Sequence, residues 1–148
     1  MRALFSGSEA TCAVSNEGAV HCWGLNSGHL IGRSSRDHIA RPTRIVGIDN
    51  ALSVSIGRSH ACANTADGRV LCWGYNFYAQ CGASPSATVY PPVEVQDLRD
   101  ARAVFTTDIH GCARRADGTL WCWGQRFSNY GDLGAIAQSR SPRRVQLP

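Results

Sequence analysis

Seven cysteines and five histidines are the residues of this 148-residue sequence whose types and spacing could do chemistry. Six of the cysteines, Cys12, Cys22, Cys62, Cys72, Cys112 and Cys122, form pairs ten residues apart that recur every fifty residues, and Cys81 stands outside the pattern. Regular pairs of this kind serve as disulfides, as metal ligands or as buried thiols. A zinc centre would draw on His60-Ala61-Cys62 and His110-Gly111-Cys112, with Cys72 or Cys122 nearby. Zinc sites are usually built on a close pair such as Cys-x-x-Cys, which this sequence lacks, and the first copy has Ala10 in place of the histidine. No Ser-His-Asp arrangement, Walker loop or His-Glu-x-x-His string accompanies the histidines. The glycine-rich stretch Gly28 to Gly32 follows a strand but opens no helix, so it is no phosphate cradle. Neither an enzyme nor a cofactor or metal site is expected.

The composition is that of a folded chain, 43% hydrophobic and 18% charged. Net charge is +4, and all fifteen basic residues are arginine. So small an excess favours solubility and does not argue for nucleic-acid binding. No apolar run approaches the ~20 residues of a membrane helix. The opening Met1 to Ala10 carries no signal-like apolar stretch, so an exported chain would have its targeting segment upstream.

The elements that hold the cysteines are repeats. Written as three lines of fifty, the sequence aligns without a gap at seven identical positions. These are Cys12/Cys62/Cys112, Ala13/Ala63/Ala113, Gly18/Gly68/Gly118, Cys22/Cys72/Cys122, Trp23/Trp73/Trp123, Gly24/Gly74/Gly124 and Pro42/Pro92/Pro142. Each copy predicts four short strands, in the second copy 52–56, 60–65, 69–74 and 93–96, with the proline just before the fourth. The middle two strands form a hairpin around Ala66-Asp67-Gly68, where glycine suits a left-handed turn position. Cys62 then faces Cys72 and Ala61 faces Trp73, with Thr11 and Gly111 as the small partners of the other tryptophans. Apolar residues on both faces of the hairpin require neighbours on both sides. The expected fold is all-β: three four-stranded antiparallel sheets as propeller blades in an open arc, blade one 1–50, blade two 51–100 and blade three 101–148.

Gly57-Arg58-Ser59-His60-Ala61-Cys62, Ala66-Asp67-Gly68 and Cys72-Trp73-Gly74 resemble a regulator-of-chromosome-condensation repeat. Tyr75-Asn76-Phe77-Tyr78-Ala79-Gln80-Cys81-Gly82 continues it, with Ala79 replacing a glycine and Cys81 a leucine of the family pattern. Blade three carries Gly131-Asp132-Leu133-Gly134 two positions late, and blade one departs most, with Gly28-His29-Leu30-Ile31-Gly32. The resemblance implies a seven-bladed β-propeller whose members include nucleotide-exchange factors, chromatin binders, a plant photoreceptor and exported bacterial inhibitors. It implies no catalytic residue, because the motif positions are core and turn residues. The paired-cysteine form resembles exported bacterial propellers more than nuclear ones.

Facing cysteines on antiparallel strands sit about 4.5–5.5 Å apart at Cα, within reach of a disulfide. Cys12–Cys22, Cys62–Cys72 and Cys112–Cys122 are the pairs expected, with reduced core thiols and zinc as alternatives. Disulfides would place the chain outside the cell or on its surface; reduced thiols would suit the cytoplasm. Cys81 is expected to be a buried thiol, Trp23, Trp73 and Trp123 packing residues, and His60 and His110 loop anchors. The candidate partner-binding residues are Tyr75, Phe77 and Tyr78, Phe127 and Tyr130 in the matching loop of blade three, and Arg33 and Arg36. Aromatics with nearby arginine on loops of a rigid scaffold suit a protein interface. The expected function is a non-enzymatic module that binds a protein or other macromolecule, with no nucleic acid and no membrane span. An intracellular exchange or chromatin factor, or a propeller fragment without activity of its own, is the alternative. Three blades cover only their internal contacts, so the chain is expected to self-associate or to belong within a longer propeller.

Overall fold

Each fifty-residue repeat folds into one four-stranded antiparallel sheet whose strands lie in sequence order. The computed structural model describes residues 1–32, 38–125 and 138–146. Blade one contains β1 (Ala3–Ser6), β2 (Ala10–Val14), β3 (Val20–Leu25) and β4 (His38–Arg44). Blade two contains β5 (Ala51–Ile56), β6 (His60–Thr65), β7 (Val70–Asn76) and β8 (Ser86–Glu94). Blade three contains β9 (Ala101–Thr106), β10 (His110–Arg115), β11 (Leu120–Gln125) and β12 (Gln138–Arg144). Among the described residues the helical structure is one 3-10 turn at Ser27–His29.

The hairpin register is the one the turn chemistry predicts. Thr65 N donates to Arg69 O and Gly68 N to Thr65 O, both at 3.0 Å, and Gly68 takes φ +80. A side chain there would be strained, which is why every copy has glycine at this place. With the turn set, Cys12 faces Cys22, Cys62 faces Cys72 and Cys112 faces Cys122. All three pairs are disulfides, with Cα separations of 4.1, 4.1 and 4.0 Å. Thr11, Ala61 and Gly111 lie opposite Trp23, Trp73 and Trp123.

The fourth strand differs from the sequence expectation. In blade two it runs Ser86–Glu94, starting earlier than the predicted 93–96, and Pro92 lies inside it. The reason is a bulge: Cys72 pairs with Val93 but Gly74 pairs with Val89, so Tyr90, Pro91 and Pro92 bow out of register. Pro42 and Pro142 fall in the same interruption of β4 and β12. A bulged edge strand needs no ladder donor at those residues, so proline belongs there.

First strands of adjacent blades touch, β1 with β5 and β5 with β9, which sets them at the inner edge of the arc. Blade two, with a neighbour on each side, has β6 buried along its whole length, whereas β2 of blade one is buried only at alternate residues. The junction of blades one and two packs Cys12, Val14, Val20, Cys22 and Ile31 against Ala61, Ala63, Leu71 and Trp73. The second junction packs Cys62, Val70, Cys72, Cys81 and Val95 against Val104, Ala113 and Trp123. At both junctions the disulfide face of one blade thus meets the tryptophan face of the next. The buried indole N–H of Trp73 donates to Leu30 O at 2.7 Å and that of Trp123 to Gln80 O at 2.9 Å. Left unpaired, each would cost about 1–3 kcal/mol, so these carbonyls are what let the indoles be buried fully.

Candidate functional site

One rim of the arc is built by the same backbone bond in every blade. The N–H groups of Leu25, Tyr75 and Gln125, just after the Trp-Gly pairs, donate to the carbonyls of Glu9, Ser59 and Ile109 at 2.9, 2.8 and 3.0 Å. The end of each third strand is thereby tied to the turn between the first and second strands. Between these turns lies an open cleft of about 430 Å³ lined by Glu9, Ser27, Arg58, Ser59, Tyr75, Asp108 and Ile109. Glu9 accepts a 2.8 Å hydrogen bond from Ser27, and Arg58 approaches its other oxygen at 3.9 Å. The cleft therefore combines two carboxylates, one guanidinium and one aromatic wall.

Tyr75 joins the cleft to an aromatic cluster. Its ring lies 6.4 Å from Phe77, nearly parallel, and 6.4 Å from Tyr78, while Phe77 and Tyr78 meet edge to face at 5.4 Å. Asn76 organises the loop that carries them: Cys81 N donates to its Oδ1 at 2.9 Å, and its Nδ2 donates to Ser84 O at 2.7 Å. Ala79 adopts φ +60, at the position where the repeat motif has glycine. The turn so formed leaves Phe77 56% exposed, though a phenyl ring gains most from burial.

Of the residues singled out in the sequence, Tyr75, Phe77 and Tyr78 come together, while Arg33, Arg36, Phe127 and Tyr130 lie outside the described residues. Sequence reasoning passed over Glu9, Arg58, Ser59, Asp108 and Ile109. Their signal was available: they occupy matching places in the three repeats yet differ in every copy, Ser8-Glu9, Arg58-Ser59 and Asp108-Ile109. Where a repeat array varies at one register position on one rim, packing is not what selects the residue.

The histidines divide. His110 anchors its loop, its Nδ1 lying 3.0 Å from the Thr107 hydroxyl. His60 does not, which corrects the expectation for that residue. Blade two has Gly57 where blade three has Thr107, and the Thr107 carbonyl occupies the space a Cβ at Gly57 would need. His60 is fully buried, and neither ring nitrogen has a hydrogen-bond partner among the described residues. Desolvation, with His110 adding repulsion, pushes its pKa down to about 3. Burial also lowers the pKa of His110. Cys81 is the free cysteine, buried at the second junction with Sγ 3.6 Å from Tyr75 O, and burial pushes its thiol well above the usual range. It is a packing residue in an unreactive state.

The other cysteines are consumed by disulfides and offer no thiolate to a metal. Among the described residues no group of three or more His, Cys, Asp or Glu is placed to hold an ion. Of the arginines near blade one's fourth strand, Arg44 pairs with Asp49 at 2.6 Å, both exposed to solvent. No helix among the described residues is long and apolar enough to cross a membrane.

Disulfide-stapled, four-stranded sheets stacked face to face, with a loop-built rim, define an array of β-propeller blades. The chain belongs to the family of the regulator of chromosome condensation (RCC1) repeat, whose models match residues 2–28 and 52–80, and 17–63 and 67–113. Human E3 ubiquitin-protein ligase HERC2 is 32% identical over 56 residues, covering 36% of this chain and 1% of HERC2. The structure of Prp20p from Saccharomyces cerevisiae superposes with a TM-score of 0.84 at 19% identity, covering 98% of this chain and 38% of Prp20p. Human WBSCR16 superposes with a TM-score of 0.80 at 18% identity, covering 97% of this chain and 37% of that protein. The chain thus spans well under half of each of these relatives.

Proposed function

We propose that the chain is a non-enzymatic binding module of an exported or cell-surface bacterial protein, which recognises a macromolecular partner through the rim of its blades. The observation that carries this is the Tyr75–Phe77–Tyr78 cluster, held on an ordered loop beside a charged cleft with Phe77 56% exposed. Clustered aromatics on a rigid platform are the usual anchors of protein interfaces, and flanking carboxylates select a partner carrying basic groups. The three disulfides support an oxidising compartment. Prp20p, which shares the fold, is described by its binding to Gsp1p and histones. At 19% identity that likeness speaks for the scaffold and leaves the partner of this chain to its own rim.

The test is capture on immobilised protein, comparing the wild type with Phe77→Ala and with a Glu9→Gln/Asp108→Asn double variant. A partner retained by the wild type and lost from Phe77→Ala, with unchanged melting, supports the rim. Equal retention by all three removes it. Thiol counting on protein purified from its source without reductant tests the compartment. One thiol after denaturation fits export, and seven favours an intracellular exchange or chromatin factor.

A further inference from the structure

The walls of the rim cleft are set by packing between blades one and two. Gly28 of blade one lies so close to blade two that a Cβ there would sit 2.5 Å from Ser59 O and 2.9 Å from Tyr75 Cβ. Tyr75 is thereby held as a partly buried wall, and Glu9 and Ser27 line the same cleft from blade one. Glu9 is the residue whose bonding is incomplete. Its side chain is 28% exposed, and one carboxylate oxygen accepts the Ser27 hydroxyl at 2.8 Å. The other is approached by Arg58 Nε at 3.9 Å, beyond the hydrogen-bond range of about 2.7–3.2 Å. The Arg58 side chain is 67% exposed, so it pairs with Glu9 loosely. Asp108 lines the cleft from blade three, and its carboxylate makes no hydrogen bond or ion pair among the described residues.

The cleft therefore offers a free acceptor on Glu9, a second on Asp108 and the aromatic ring of Tyr75. A guanidinium answers all three. It is planar, carries its N–H donors in a fork that reaches two acceptors, and stacks on aromatic rings. An ammonium is more strongly hydrated and has no plane to stack. Charge favours the same occupant, because two carboxylates meet one guanidinium of the chain's own that is largely in solvent.

We propose that the cleft receives one arginine side chain of a partner protein, its guanidinium bridging Glu9 and Asp108 against the Tyr75 ring while Arg58 turns out to solvent. This rests on the rim reading above and names the group that the rim selects. Phe77, in the aromatic cluster that Tyr75 joins to the cleft, gives the residues flanking that arginine an apolar contact.

The experiment is an NMR titration of the isotope-labelled, oxidised protein with Nα-acetyl-argininamide, read at the backbone amides of Glu9, Ser59, Tyr75 and Ile109. These signals are expected to shift and saturate together. Nα-acetyl-citrullinamide, the uncharged isostere, is expected to give no saturable shift. Nα-acetyl-lysinamide is expected to bind about tenfold more weakly, lacking the fork and the stack. Glu9→Gln and Asp108→Asn should each weaken the arginine probe about tenfold, the weight of one charge-assisted hydrogen bond. Arg58→Ala should tighten it, because the competing guanidinium is gone. Free L-arginine, whose own carboxylate meets the acids of the cleft, should bind more weakly than the amide.

No shift with the arginine probe, or an equal one with citrulline, overturns the proposal. So does weaker binding by Arg58→Ala, which would make Arg58 part of the site. Tighter binding of free L-arginine also overturns it, since the cleft would then be a small-molecule site. If a carboxylate variant fails to fold, the wild-type comparison of the probes still decides. A silent probe beside Phe77-dependent capture strikes the arginine alone, whereas capture indifferent to Phe77→Ala strikes the rim reading whatever the probe does.

Discussion

His60 should make this protein acid-sensitive through a single buried ring. Its pKa is about 3 in the folded chain against an ordinary 6.5, because burial penalises the charged imidazolium and His110 adds repulsion. The sign follows from proton counting. Between pH 6.5 and 3 the unfolded chain holds a proton on this histidine that the native state refuses, so stability falls as pH drops through that window and is complete above it. The slope is about 1.4 kcal/mol per pH unit, which gives a loss of about 2 kcal/mol between pH 7 and pH 5. For a domain whose total stability is of order 5–15 kcal/mol, that is a large share.

The measurement is urea unfolding of the oxidised protein at both pH values, for the wild type and His60→Leu. Every group but His60 is present in both proteins, so the difference between them reports on His60 together with its repulsion from His110. The wild type should lose about 2 kcal/mol more than the variant. At pH 7 the leucine should cost nothing or stabilise, since it replaces two unsatisfied buried nitrogens. Equal losses in the two proteins would refute the reasoning, and would mean that the ring is protonated or solvated in the native state.

Gly111→Leu should destabilise by roughly 1–3 kcal/mol, because even a Cβ there would lie 2.6 Å from Trp123 Cζ2; an unchanged melting curve would contradict the packing. Cys81 should resist maleimide labelling in the native state and react once the chain is unfolded, as its buried, protonated thiol requires. Peptide mapping should find Cys12–Cys22, Cys62–Cys72 and Cys112–Cys122, and any link between blades would be incompatible with the hairpin register. Replacing Cys62 and Cys72 together by alanine should lower stability by about 2–3 kcal/mol in chemical denaturation, the loop between them being short.

The repeat, the hairpin register and the disulfide pairs were all legible in the sequence, because each rests on local rules: turn glycine, period-two alternation and a fixed spacing between facing residues. Gly68 sets the turn, the turn sets Cys62 opposite Cys72, and Ala61 follows opposite Trp73. Other features needed the stacked blades. The proline bulge of β8 answers to pairing across Tyr90, Pro91 and Pro92. The cleft gathers Glu9, Arg58 and Asp108 from three separate turns, so no single stretch of sequence announces it. His60 and His110 read alike in their repeats, yet one anchors a loop and the other is buried without a partner. The difference is the Thr107 carbonyl, pressed against Gly57 from the next blade. Local spacing decides what faces what within a sheet; burial, and with it the charge state of a side chain, is decided only by which sheet lies on top.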